Sequence, residues 1–353
     1  MIKKTWAVPL TIAVTVGIFV FFVWRGYADF AKIVSHAQPR YLVFTFVASA
    51  VTYLFMGLSL WEVLRILGHR LNLGAAVSIA FVSTTINYFI SSMGASGFAL
   101  RAHLLRKRHI PFGASVTASV VITVLLYMIL ALLVLQGSMF LVLRSQGTKL
   151  QIMEGFLGVV VLLAVCFFVG LAFFNHEFRS KWVKAACKGV NHIIYFFSGP
   201  VIPQESFIKF EEQLEHGIKI IHRKKYSLAG AIGYVCADWI FNMLILHMAF
   251  KTIGIDMAVG PLVAGFALGM VTTLIPVLPG GLGAMELTMT AAYTGFGVEW
   301  HSAFVASVIY RIAYYVVPSA ISVFVYWGLK LSEPLGLEQE KEAERRIENN
   351  IAL

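Results

Sequence analysis

Apolar residues in this chain gather in long blocks and do not alternate with polar ones. The blocks cover roughly 6–24, 41–64, 73–100, 111–135, 153–174, 227–250, 258–297 and 303–329. A helix needs about 20 apolar residues to cross the hydrocarbon core of a bilayer, and six of the blocks read as full spans of that kind. The first follows Lys3 and Lys4, is flanked by tryptophans and is followed by no A-x-A site. It reads as a retained span, not as a cleaved signal.

Blocks 73–100 and 258–297 are broken in the middle. The first break runs Ser91-Ser92-Met93-Gly94-Ala95-Ser96-Gly97, and the second Pro276-Val277-Leu278-Pro279-Gly280-Gly281-Leu282-Gly283. Proline removes a ladder N–H and clashes with the preceding turn, and glycine adds backbone freedom, so neither block is expected to be one straight helix.

Charge sets the threading. With a cytoplasmic N-terminus, segment 65–72 carries Arg65 and Arg70, and 101–110 carries Arg101, Arg106, Lys107 and Arg108. Both belong inside, so block 73–100 enters and leaves on the cytoplasmic face as a re-entrant hairpin. Block 258–297 lies between weakly charged connectors and forms a hairpin from the other face. This threading puts 21 Lys and Arg inside and 6 outside, with Arg311 within a span. That is the bias of the positive-inside rule. Two kinked full spans are the alternative, and they leave basic loops on the wrong side.

The expected fold is therefore an all-α polytopic membrane protein with about six full spans and two oppositely oriented re-entrant helical hairpins. Residues 41–135 read span, hairpin, span, and residues 227–329 repeat the order upside down. Such an inverted repeat marks transporters whose site lies at broken helices near the midplane. Thr84-Thr85 and Thr272-Thr273 precede the two breaks. A single membrane domain covers 1–330, and 331–353 form a charged cytoplasmic tail. Segment 175–226 is basic and amphipathic. Trp182, Ala186, Val190, Ile193 and Phe197 make one apolar stripe, and Phe207, Phe210, Leu214, Ile218 and Ile221 another. It reads either as an interfacial helix beside anionic lipid or as a linker packed on the protein.

Composition closes off other classes. The apolar set makes up 59% of the 353 residues, charged residues 13%, and mean hydropathy is +0.79. A soluble fold would be unable to shield that apolar content, and disorder needs the opposite balance. Long apolar blocks without alternation exclude a β-barrel. Cys166, Cys187 and Cys236 are far apart and form no CxxC pair, which argues against a disulfide framework or a zinc site. The net charge of +10 follows the loops, and no nucleic-acid motif accompanies it. No hydrolase, zincin or Walker pattern is present, so neither an enzyme nor a cofactor is expected.

Ionisable residues inside spans are costly, and each is a functional candidate. Asp238 lies in block 227–250 with His247 nine residues on, and is a candidate coupling group; His247 alone reads as a packed or interfacial histidine. Glu62 and Arg101 lie at block edges. Glu286 opens the half-helix after the second break, where a carboxylate complements the helix dipole. It reads as a capping acid, as a partner of Arg311 or as a reader of a cationic headgroup. Arg311 itself needs a carboxylate, Glu286 or Asp238, or a ligand phosphate. Arg101 is either part of a positive-inside loop or a contact for a headgroup phosphate.

The run from Pro276 to Glu286, followed by Tyr310-Arg311, resembles the flippase-like transmembrane region of lysylphosphatidylglycerol synthases, including stand-alone members without the synthase domain. That family pattern is P-x-P-G-G-L-G-x-x-E with a Y-R in the next span; here one extra residue separates the prolines. Pro276, Pro279, Gly280, Gly281, Gly283, Glu286, Tyr310 and Arg311 fit it. Gly94, Gly97 and the basic stretch from Arg101 to Arg108 fit the upstream pattern. Many relatives carry a Pro or an acid in the first break, where this chain has Ser91, Ser92, Ser96 and Phe98. The resemblance implies movement of a lipid between the leaflets of the cytoplasmic membrane, with an anionic phosphate headgroup as ligand and the residues named above, with Arg101, as its contacts. The 23 residues after Lys330 are too few for an aminoacyl-transferase domain. Rival expectations are a non-transporting membrane partner or scaffold and a transporter of a small soluble solute. A homo-oligomer or an envelope-enzyme partner stays open.

Overall fold

A computed structural model describes residues 37–89, 95–143, 204–273, 281 and 283–331, with scattered helical positions between 149 and 177. The expected spans 6–24 and 153–174, most of segment 175–203 and the tail after Leu331 lie outside the described residues, as do Pro276, Pro279 and Gly280.

Every described element is helical. The order is α1 (Pro39–Ile66), α2 (Leu73–Phe89), α3 (Ala95–Arg106), α4 (Phe112–Leu143), α5 (Gln204–Arg223), α6 (Leu228–Thr252), α7 (Val259–Thr272), α8 (Ala284–Gly295), α9 (Trp300–Arg311) and α10 (Val317–Leu331). Four stretches are long and apolar enough to cross a membrane, Pro39–Ile66, Phe112–Val142, Leu228–Thr252 and Trp300–Leu331. The chain is a multi-pass membrane protein. Each matches an expected full span with its ends moved by a few residues.

Both broken blocks are split in two. The first becomes α2 and α3, the second α7 and α8. At about 1.5 Å per residue none of these four arms covers the roughly 30 Å of hydrocarbon.

The last span holds a feature absent from the sequence reading. Between α9 and α10, residues Ile312–Val316 form a turn of π-helix. Pro318 explains it, because proline has no N–H to offer the carbonyl four residues back, at Tyr314, and its ring crowds that carbonyl. The freed acceptors are satisfied from α1. Tyr53 donates its hydroxyl to the Tyr314 carbonyl at 2.7 Å, and Ser49 donates to the Ala313 carbonyl at 2.7 Å.

The core joins both halves of the chain. Leu60 and Leu64 of α1, Phe250 of α6, Phe266 of α7, Tyr293 of α8 and Tyr310 of α9 are almost wholly enclosed. The longest interface is α1 against α6. Exposed apolar side chains such as Phe44, Val47, Leu132, Met139, Phe324 and Trp327 face outward, as expected where the solvent is lipid. Helix α5 makes contact through the second half of its predicted apolar stripe. Its Leu214 and Ile218 pack on Val116 of α4, with Phe98 of α3 against them. Gln213 accepts the N–H of Gly113 at 3.0 Å. This helix is packed on the protein.

Candidate functional site

The second break feeds directly into a buried ion pair. Gly281 and Gly283 have φ of 66° and 82°, backbone that side-chain-bearing residues rarely adopt, and they turn the chain into α8. Glu286 sits in the first turn of that helix and accepts the N–H of Gly283 at 2.8 Å. With glycine at the cap, this is half of a capping box; the carboxylate reaches back and no side chain answers it.

The same carboxylate holds Arg311. Nε of Arg311 donates to Oε1 at 2.5 Å and Nη2 donates to Oε2 at 3.1 Å. Nη2 also donates to the carbonyl of Gly281 at 3.2 Å, and the guanidinium lies 4.2 Å from the centre of the Tyr315 ring. Both residues are buried, Arg311 at 5% and Glu286 at 7% exposure. A buried charge is tolerated when its partner and remaining donors are satisfied. Of the three readings of Glu286, capping and pairing are thus both realised at once, by its two oxygens.

A second cluster lies on α6. Tyr310 donates its hydroxyl to Oδ1 of Asn242 at 2.7 Å. One turn earlier, Asp238 is 3% exposed, and its Oδ1 is enclosed without a hydrogen-bond partner among the described residues. Tyr88, Tyr310 and Tyr314 lie within electrostatic reach of that carboxylate. These rings belong to a tyrosine group in which Tyr53 stacks on Tyr314 at 5.5 Å, Tyr310 on Tyr314 at 5.7 Å, and Tyr88 meets Tyr315 at 4.1 Å. Thus Glu286, Arg311, Gly281 and Gly283 are in direct contact, while Tyr310, next to Arg311 on α9, is bound to Asn242 on the helix that carries Asp238.

Arg101 stands apart. It is half-buried on α3, and Nε donates to the Ser83 hydroxyl of α2 at 3.1 Å. Helices α2 and α3 close tightly around Gly97, whose N–H donates to Oδ1 of Asn87 at 2.7 Å. A Cβ at Gly97 would run into the Ser83 carbonyl and the Asn87 amide. Glu62, the other edge residue, is paired with Arg65 at 2.8 Å. Among the described residues no group of three or more His, Cys, Asp or Glu is arranged to hold a metal.

Sequence reading missed Asn242, Tyr53, Tyr88 and Tyr315. An amide four residues after Asp238 in an apolar block was a usable signal for the first. The tyrosines had none, because aromatic residues are common throughout such blocks.

The model of the lysylphosphatidylglycerol synthase TM region matches residues 7–322. The chain belongs to this family. It is 23% identical over 334 residues to a UPF0104 membrane protein of Methanothermobacter thermautotrophicus, covering 91% of this chain and 93% of that one. It is 28% identical over 90 residues to the phosphatidylglycerol lysyltransferase of Staphylococcus epidermidis and 24% over 90 to that of Staphylococcus aureus. Those matches take in 26% of this chain and 11% of each lysyltransferase.

Proposed function

We propose that this protein moves a phospholipid between the leaflets of a cytoplasmic membrane, with both termini on the cytoplasmic side. It acts as a transporter without a catalytic step. One observation carries the reading beyond family membership. The break in apolar block 258–297, at membrane depth in this reading, leads into the buried pair of Glu286 and Arg311, while Asp238 on α6 keeps a buried Oδ1 without a hydrogen-bond partner among the described residues. Irregular backbone at that depth is tolerated only against protein or a polar cavity.

An inverted repeat is the architecture that fits. Packing is reciprocal in a way that supports it. The leading helices α1 and α6 lie against each other, α2 packs on α10, and α7 packs on α4. Helices α1 and α6 also end in the same glycine-closed turn, at Gly68 and Gly254. Each hairpin thus leans on the last span of the opposite unit, and tilting one unit against the other would open the interior to alternate faces.

In this scheme the headgroup phosphate is handed between Arg101 and Arg311. The segment bearing Pro276, Pro279, Gly280, Gly281 and Gly283 allows close approach of backbone to the headgroup. Tyr310 lines the path, and Glu286 holds Arg311 until a phosphate competes for it. Asp238 is the coupling group. A carboxylate with one oxygen enclosed without a donor is costly as an anion, so the turnover of such a group between protonated and ionised states is a means of linking proton movement to the tilt. The lysyltransferase relatives make phosphatidylglycerol the first lipid to try.

Two measurements test this. Lipids co-purified in mild detergent are compared with the bulk membrane by mass spectrometry, for wild type and Arg311→Ala. Enrichment of one anionic headgroup, lost in the variant, is expected. In vesicles, lipid movement should fall in Arg311→Ala and in Glu286→Gln, and wild-type rates in both would overturn the assignment.

A further inference from the structure

The first-hairpin side of the protein carries a pocket of about 570 Å³ that none of the residues above occupies. Three separate stretches meet there. Asn72 and Ser78 come from the start of α2, Arg108 from the turn between α3 and α4, and Val325, Gly328 and Leu329 from the end of α10. The volume lies within the range of small-molecule sites.

The chemistry of the lining is one-sided. Arg108 brings a cation, and Asn72 and Ser78 bring polar groups, while no acidic side chain is among the lining residues. Asn72 is oriented, since its Oδ1 accepts the N–H of Gly74 at 2.9 Å. With the oxygen so engaged, the amide nitrogen is the group that Asn72 has to offer as a donor. The positive end of the α2 dipole faces the same space. Opposite these groups the wall is apolar, formed by Val325, Gly328 and Leu329 of α10. A cationic polar floor joined to an apolar wall fits an amphiphile with an anionic head better than it fits a free ion.

We propose that this pocket is the docking seat of a phospholipid phosphate before it enters the interior. Arg108 and the Asn72 amide hold the phosphate, and the acyl chains leave along Val325 and Leu329 of α10. The proposal rests on the lipid-transport reading. It adds a site on the protein's flank, separate from the Glu286–Arg311 pair. Arg70 lies in the connector that leads to Asn72, and Lys330 follows Leu329 at the end of α10. Charge bias puts all of these on one membrane side, so the seat serves the inner leaflet.

The test uses the full chain in detergent, titrated with phosphatidylglycerol and followed by native mass spectrometry. Arg108→Ala removes the cation. Gly328→Leu fills the pocket without touching charge, and a Cβ at Gly328 meets nothing within 4 Å, so this variant should fold. Each is expected to weaken phosphatidylglycerol binding about tenfold or more, the value of a hydrogen bond to a charged group. Unchanged binding in both folded variants overturns the proposal. Inorganic phosphate is titrated alone as a control. Arg108-dependent binding of inorganic phosphate as tight as that of the lipid would assign the pocket to the free anion and overturn the lipid seat. Vesicle transport separates the two readings. Loss of pocket binding in a protein that moves no lipid leaves the seat standing and removes the transport function. Lipid movement by wild type with pocket-independent binding does the reverse.

Discussion

Asp238 and Asn242 lie one turn apart on α6, and their polar atoms differ in outcome. The Oδ1 of Asn242 accepts the Tyr310 hydroxyl at 2.7 Å, while the Oδ1 of Asp238 is enclosed without a donor. A buried amide with a partner serves stability. A buried carboxylate without one costs stability, and its retention is the physical ground for giving it a working role.

Asp238→Asn should therefore keep or raise the melting temperature in detergent, while flattening the response of vesicle lipid movement to an imposed proton gradient. A gradient response equal to wild type would remove Asp238 from coupling. Asn242→Leu is the structural counterpart. It leaves the Tyr310 hydroxyl without its acceptor and is expected to cost about 1–3 kcal/mol.

The pair of Glu286 and Arg311 predicts a specific pattern of melting temperatures. Removing either partner strands a buried charge, at a cost of about 3–5 kcal/mol. Arg311→Met and Glu286→Gln should each melt well below wild type, and the double variant should recover part of the loss. Additive losses would mean that the two side chains act independently.

Tyr53 and Ser49 repair the backbone around the π turn. In Tyr53→Phe the carbonyl of Tyr314 loses its 2.7 Å donor while the ring stack is kept. The expected cost is about 1–3 kcal/mol. Pro318→Ala restores a ladder N–H, so Tyr53→Phe should cost less in that background. Thermal melting of the four proteins measures the difference.

Glu299, outside the spans, carries a pH signature. Partial burial pushes its carboxyl up, but hydrogen bonds from the N–H groups of His301 and Ser302, with their side chains, outweigh this and hold it at about 2, below the usual 4.5. A depressed folded-state value stabilises the protein above the unfolded value. That contribution starts to fade below about pH 4.5 and is gone once pH falls through about 2. Glu299→Gln should consequently show a smaller loss of melting temperature than wild type between pH 6 and 3. Parallel losses in the two proteins would show that the cap contributes nothing.

The helices and the breaks between them were legible because apolar content and proline or glycine act locally. Block 73–100 splits around the Ser-Gly run into α2 and α3, and block 258–297 splits before Gly281 and Gly283. The capping position of Glu286, one of the three roles open to it, was legible for the same reason, since it lies three residues after Gly283. The π turn was less accessible. Pro318 signals a disturbed ladder, but only the hydroxyls of Ser49 and Tyr53, about 260 residues away in sequence, make that disturbance tolerable.

The sequence by itself determined that this chain lives in a membrane, which segments are helical, where two helices must break and which few charges lie within the apolar blocks. Those properties follow from transfer free energy and local backbone chemistry, which each segment carries alone. Tertiary structure decided which of those charges is neutralised. Arg311 had two candidate carboxylates, and α8 brings Glu286 to it while Asp238 makes no ion pair among the described residues. Packing likewise gathered Asn72, Arg108 and the end of α10 around one pocket. Such pairings depend on how helices distant in sequence lie against each other, and no local pattern records that.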